Sequence, residues 1–200
     1  NSLIFSYGYS TTFSEYQTTG PALDGVSRTY HETVLVPRPK NKFLFVIEKR
    51  DKYNLLYPVY KLEIDPNDYH IITETTKRTH DEIMAVIKNG DPHKKVDLVI
   101  IGEGYADEEQ RTFRKDLEYF TGVLFSIEPF TSHRSHFNIT GIYTPSGESG
   151  ADEPRQGRYR NTILGSSFNT FDSDRYLLAD NNKTLRDIAA QAPYDAVLVM

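Results

Sequence analysis

The stretch Val96–Tyr105, VDLVIIGEGY, limits the fold more than any other part of the chain. Val96, Leu98, Val99, Ile100 and Ile101 form a nearly unbroken apolar run. That is the pattern of a strand buried on both faces of a parallel sheet. Gly102-Glu103-Gly104 then turns the chain, and both glycines read as tight-turn residues. Asp107 and Gln110 predict a capping box at the start of a helix. Along that helix Phe113, Leu117, Phe120, Leu124 and Ile127 fall on one apolar stripe, and Pro129 ends it. A buried strand, a tight turn and an amphipathic helix are the opening of an α/β domain.

Composition narrows the function classes. The 200 residues are 38% hydrophobic and 26% charged with a net charge of −5, enough chain to bury roughly 70% of the surface it exposes when unfolded. No excess of Lys or Arg exists to neutralise phosphate, which argues against a nucleic-acid or anionic-membrane partner. No apolar run approaches the length of a membrane span. The chain lacks cysteine, so neither a disulfide framework nor a Cys-ligated metal site is expected. That usage fits a reducing cytoplasm or a secreted protein built without disulfides. Fourteen Tyr and eleven Phe without Trp suit strands packed face to face. The sequence opens with Asn1 in an apolar segment and stops at Met200 inside YDAVLVM, so a fragment of a longer protein is expected.

Taken in order, residues 1–78 read as β. SLIFSYGYS, RTYHETVLVP, KFLFVIEKR and LYPVYKLEI are short aromatic and β-branched segments separated by turn residues. The last two flank KYN and predict a hairpin, with Phe43, Phe45 and Ile47 on one face of the first strand and Tyr60, Leu62 and Ile64 sharing a face of the second. Pro58 predicts an edge or a bulge. An N-terminal antiparallel β-sandwich is the expected fold of this part. Residues 79–95 read as a linker, with Thr79 and Glu82 capping a short helix that carries Ile83, Val86 and Ile87. Residues 96–200 read as α/β. FNITGIYT is a second strand, Asn181 or Asn182 starts a helix bearing Leu185, Ile188, Ala189 and Ala192, and YDAVLVM is a third strand. Between them, Pro145 to Thr170 is polar, long and without periodicity, the mark of a functional segment.

Few residues are arranged for chemistry. Gly102-Glu103-Gly104 approaches a dinucleotide fingerprint, but Asp107 at the third glycine position would repel pyrophosphate. His31 reads as a strand histidine, because its neighbours point to opposite faces. His133 and His136 have a ligand-like spacing, yet no third ligand accompanies them. Glu148, Asp152 and Glu153, followed by Asp172 and Asp174, offer hard oxygens that suit Ca²⁺. Arg155, Arg158 and Arg160 among them favour an internal ion-pair network equally well. The loop carrying Glu148, Asp152, Glu153, Arg155 and Arg158 is therefore the candidate substrate-cleft or calcium loop.

Longer motifs carry a resemblance. VDLVIIGEGY, FRKDLEYF, EPFTSHRSHFNI, PSGESGADEPRQGRYRNTILGSSFNTF, DRYLL, LRD and APYDAVLVM closely resemble the M64 family of bacterial metallopeptidases, named for immunoglobulin A proteases. YGYSTTFSEYQTT, RTYHETVLVPRPK, EKRD and IDPNDYHI resemble that family's N-terminal domain. The resemblance spans nearly the whole chain. It implies a zinc-dependent endopeptidase whose α/β catalytic domain is zincin-like, with a protein substrate such as immunoglobulin and a secreted or cell-envelope location. In such enzymes two histidines on one helix face bind Zn²⁺ and a neighbouring Glu activates the metal-bound water. This sequence has no HExxH, and the family's helix lies beyond the strand resembling YDAVLVM. The resemblance therefore assigns no catalytic or zinc residue here and implies that this chain by itself is inactive. The alternative from another class is a non-catalytic protein whose β-domain binds a protein or a glycan.

Overall fold

The computed structural model describes residues 2–74, 78 and 80–200. The chain is mixed α/β with several sheets and divides into two compact units, Asn1–Ser10 with Thr33–Glu74, and Thr11–Glu32 with Thr75–Met200. Residues 11–32 thus group with the second unit, although 1–78 read as one piece in the sequence.

The first unit contains the expected hairpin. Strand β1 (Phe43–Arg50) pairs antiparallel with β2 (Leu56–Ile64). Phe43, Phe45 and Ile47 stand opposite Ile64, Leu62 and Tyr60, so the two sets expected to share a face of each strand are cross-strand partners. The register shifts between Ile47 and Glu48, whose partners are Tyr60 and Pro58, so Val59 is an extra residue beside the proline. Proline has no N–H for the ladder, and a bulge accommodates it. The turn is held by Asp51, whose Oδ1 accepts from Tyr53 N at 2.8 Å and Leu55 N at 2.9 Å. SLIFSYGYS and RTYHETVLVP form no strands, and His31 lies exposed in irregular chain rather than in a strand. Among the described residues, the first unit has this one two-stranded sheet and no second layer, so the sandwich expectation is met only as a hairpin.

The second unit begins with two short helices, α1 (Phe13–Tyr16) and α2 (Gly20–Leu23). Strand β3 (Glu82–Ile87) follows, where a short helix was expected. The spacing of Ile83, Val86 and Ile87 satisfies a helical period, but antiparallel pairing with a later strand wins. Thr79, the expected cap, lies outside the described residues. Strand β4 (Val96–Ile101) leads into α3 (Gln110–Leu124), the short α4 (Phe130–His133) and β5 (Phe137–Tyr143). After a long polar segment come β6 (Ser166–Phe168), β7 (Leu177–Ala179), α5 (Asn182–Ala189) and β8 (Ala196–Val199). The main sheet has the order β3-β5-β4-β8, in which β4 runs parallel to both neighbours and β3 runs antiparallel to β5.

Side chains on β4 alternate between two cores. Leu98 and Ile100 pack with Phe113 and Leu117 of α3, and with Met84, Phe125, Ile139 and Tyr143. Val99 and Ile101 pack with Leu185, Ile188 and Ala189 of α5, and with Ile142 and Leu164. A strand covered on both faces needs no polar side, which explains its apolar run. The buried face of α3 runs through Phe113, Leu117 and Thr121, while Phe120 and Ile127 are 50% and 57% exposed. The predicted stripe holds at Phe113, Leu117 and Leu124, the last packed part-buried against the core. Phe120 lies off the buried face, and Ile127 falls past the helix end at Leu124, short of Pro129. The cap also differs: Glu109, not Gln110, reaches back, accepting from Ala106 N at 2.8 Å. In α5 the predicted cap is present, with Asn181 Oδ1 accepting from Thr184 N at 3.0 Å.

Residues 11–32 attach through aromatic contacts. Buried Tyr16 donates its hydroxyl to Val26 O at 2.6 Å and packs against Phe171, with ring centres 6.1 Å apart. Tyr176 donates to Glu15 Oε2 at 2.7 Å.

Glycine at 141 is required by the approach of α3. A Cβ built there would stand 2.2 Å from Leu117 Cδ2, and Leu117 is itself buried. Gly141→Ala is expected to cost about 1–3 kcal/mol by overpacking. Gly122→Ala on α3, where a Cβ meets nothing within 4 Å, is expected to stabilise by about 0.5–1 kcal/mol. Urea unfolding of the two variants checks both signs together.

Candidate functional site

The carboxyl ends of β4 and β5 are where the fold creates a concavity. The chain leaves β4 toward α3 on one face of the sheet, and leaves β5 for a route that ends in α5 on the other. Connections diverging from neighbouring parallel strands open a crevice at the strand ends, where open α/β sheets bind ligands. Here a crevice of about 680 Å³ is lined by Ala106, Asp107 and Glu108 before α3, by Ser146–Ser149 after β5, and by Arg160.

Glycines and one carboxylate hold the turn that follows β4 and leads to the crevice. Gly102 N donates to Ile142 O at 3.0 Å, and Glu103 N donates to Met200 O at 2.8 Å. Gly104 has φ +69°, and a Cβ there would stand 2.1 Å from Gly150 O. Only glycine allows that left-handed turn and that approach. The Glu103 carboxylate accepts from Thr162 Oγ1 at 2.6 Å, Ser166 N at 3.0 Å and Leu164 N at 3.1 Å. Ser146 Oγ accepts from Gly104 N at 3.2 Å and Ile163 N at 3.1 Å. The segment 162–166 is therefore fastened alternately to Glu103 and Ser146.

The acidic and basic residues of the long loop are joined to one another and to its backbone. Glu148 Oε2 accepts from Asn161 N at 2.7 Å, and Glu148 Oε1 lies 3.6 Å from Arg160. Asp152 Oδ1 accepts from Arg160 N at 2.6 Å. Glu153 pairs with Arg158 at 3.3 Å. Arg155 donates to Asp172 Oδ1 from Nε at 3.0 Å and Nη2 at 2.8 Å, and also binds Asp174. The bond to Asp172 pushes the Arg155 guanidinium above its ordinary value, with the Asp174 charge adding to it. Of the sequence candidates, Glu148 lines the crevice with Arg160. Asp152, Glu153, Arg155 and Arg158 brace the loop behind it. Glu103 and Ser146 were missed as site residues, because a Glu between two glycines reads only as a turn.

Two tyrosines pin the start of α3. Tyr105 donates to Asp116 Oδ2 at 2.9 Å, and Tyr143 donates to Ala106 O at 2.6 Å. Burial raises both phenols above the ordinary value, for Tyr105 with help from Asp116 and for Tyr143 from Asp107 and neighbouring carboxylates.

Among the described residues, no group of three or more His, Cys, Asp or Glu is placed to hold a metal ion. His133 and His136 are exposed and stack at 5.5 Å between ring centres. No helix among the described residues is long and apolar enough to cross a membrane.

The family model described as IgA Peptidase M64 matches residues 84–200, more than half of the chain. The chain belongs to the M64 peptidases. The model described as Peptidase M64 N-terminus matches residues 1–61 as well. No curated protein matches the chain. M64 peptidases are metallopeptidases, so a metal ion and a protein substrate follow from membership. Among the described residues, no group of side chains fits the ion.

The raised phenols set a sign for alkaline stability. A phenol whose folded pKa lies above its unfolded value, about 10, keeps its contribution while the unfolded group is still protonated. That contribution is lost as pH rises further, because the unfolded chain releases its proton first. The urea midpoint of the M64 chain is expected to hold up to about pH 10 and fall above it. Tyr105→Phe should flatten that fall, as measured by unfolding curves paired with phenolate absorbance.

Proposed function

We propose that this M64 chain serves a zinc-dependent endopeptidase that is secreted or held at the bacterial cell envelope and cuts immunoglobulin-type proteins. In this reading the chain supplies the front of a zincin-like catalytic domain and a substrate-facing wall. The zinc ligands stand on a helix that follows β8 in the complete enzyme. The observation that carries the proposal is the family match over residues 84–200, which includes β4, β5 and β8, most of β3, and the crevice.

The Glu148–Arg160 segment suits the wall better than a calcium loop. Its carboxylates already accept from Asn161 N, Arg160 N and Arg158, and a calcium ion would have to compete with those bonds for the same oxygens. What such a wall does for a peptide substrate is orientation, which is most of the protein's contribution to a metal-assisted hydrolysis.

Zinc content and cleavage test the proposal together. The protein extended past Met200 is expected to retain zinc through dialysis, to cut immunoglobulin A, and to lose cleavage when a chelator strips the metal. The 200-residue chain alone is expected to retain none and to cut nothing. Undiminished cleavage by the stripped extended protein would rule out zinc. Intact immunoglobulin A beside a cleaved unfolded protein would rule out that substrate class.

A further inference from the structure

We infer that Glu103 is a positioning residue for peptide binding at the crevice, an inference that rests on the endopeptidase reading above. Its carboxylate is partly buried and engages three donors from one segment, Thr162, Leu164 and Ser166. No cation within ion-pair distance accompanies it among the described residues. A carboxylate held by fixed donors and lacking a counter-charge is stabilised by directional bonds, so its place defines the place of the segment it holds.

That segment adjoins the wall. Arg160 lines the crevice, and Asn161 exchanges bonds with Glu148, its N donating to Oε2 at 2.7 Å and its O accepting from Glu148 N at 3.0 Å. Thr162 follows directly and is tied to Glu103. Ile163 N, between the Glu103-bound residues, is tied instead to Ser146, which also lines the crevice. The backbone of Glu103 meanwhile anchors Met200 O at the end of β8. One residue thus sets the separation between the crevice wall and the end of β8. Glu103 does not line the crevice, so it acts through Thr162 and Leu164 rather than by touching substrate.

The test uses the full-length zinc-loaded enzyme, a peptide substrate, and the variants Glu103→Gln and Thr162→Val. In Glu103→Gln an amide NH₂ replaces one acceptor and leaves a donor without its partner. KM is expected to rise about tenfold, on the scale of one lost charge-assisted bond, with kcat within about twofold because the change lies away from the reacting atoms. Amide exchange at Leu164 or Ser166 should quicken, while Ile163, held by Ser146, stays slow. Thr162→Val removes one donor and should raise KM by a smaller factor of about three, in line with a single neutral partner lost. Unchanged KM in both variants would overturn the inference. So would a fall in kcat and KM performance that tracks lost folded protein, with Ile163 quickening alongside its neighbours. An unsubstituted enzyme that cuts nothing is a separate result: it removes the endopeptidase reading, and this inference with it.

Discussion

Burial of β4 on both faces is the constraint from which the second unit follows. Six residues in succession carry one strand through the middle of the sheet, and alternate side chains commit it to two different cores. Covering only one face would leave Val99 and Ile101, or Leu98 and Ile100, against water, at about 1.5–3 kcal/mol for each side chain. Both α3 and α5 are therefore required, and their opposite placement makes the connections from β4 and β5 part company. The crevice at the strand ends is a consequence of that divergence. Gly141 belongs to the same constraint, since a side chain there would keep α3 from closing on the sheet.

The two ends of the parallel strands are finished in different ways. At the amino end, buried Asn138 accepts from Asn89 N at 2.7 Å and donates to Asp97 Oδ1 at 2.9 Å, while Asp97 N donates to Asp195 Oδ2 at 2.8 Å. These residues bond one another across the strand ends and hold the amino end of the sheet together. At the carboxyl end, Glu103 and Ser146 bind neighbouring loops instead, and the space those loops leave between them stays open. The three donors offset the burial cost of the Glu103 carboxylate in place of a counter-ion. The site therefore forms where polar satisfaction is achieved across long sequence separations.

The sequence reveals elements wherever period and burial agree. VDLVII, FNITGIY and the stretch around Leu185 and Ile188 have patterns that only one secondary structure satisfies, and each forms as read. EIMAVI shows the limit. Its apolar spacing suits a helix, yet Met84 is buried between exposed Ile83 and Ala85, an alternation that appears only once β5 lies beside it. Tertiary pairing overrides a short local preference. SLIFSYGYS and RTYHETVLVP have strand composition without a partner to pair with among the described residues, and composition alone does not supply the hydrogen bonds of a ladder. Glu103 was illegible for a related reason: its donors lie about sixty residues away, and nothing near it in sequence hints at them.

The long polar loop shows how a wall can be rigid without a core of its own. Between Pro145 and Thr170 few aliphatic side chains are available to bury, Leu164 being the exception at full burial. Order must come instead from backbone groups taking charged partners. Glu148 and Asp152 each accept a main-chain N–H from the returning limb of the loop, and their hydrogen-bond geometry fixes the limb more tightly than a surface ion pair would. The arginines complete the charge balance: Arg160 faces Glu148, Arg158 faces Glu153, and Arg155 spans Asp172 and Asp174. Exposed pairs of this kind add little to stability individually. Their larger effect is to leave Asp107 and Glu108, beside the crevice, as carboxylates outside the loop's own pairing. A wall braced by internal charge pairs and faced with such carboxylates gives the crevice a polar, acidic lip, the surface that the proposed endopeptidase would turn toward an extended chain.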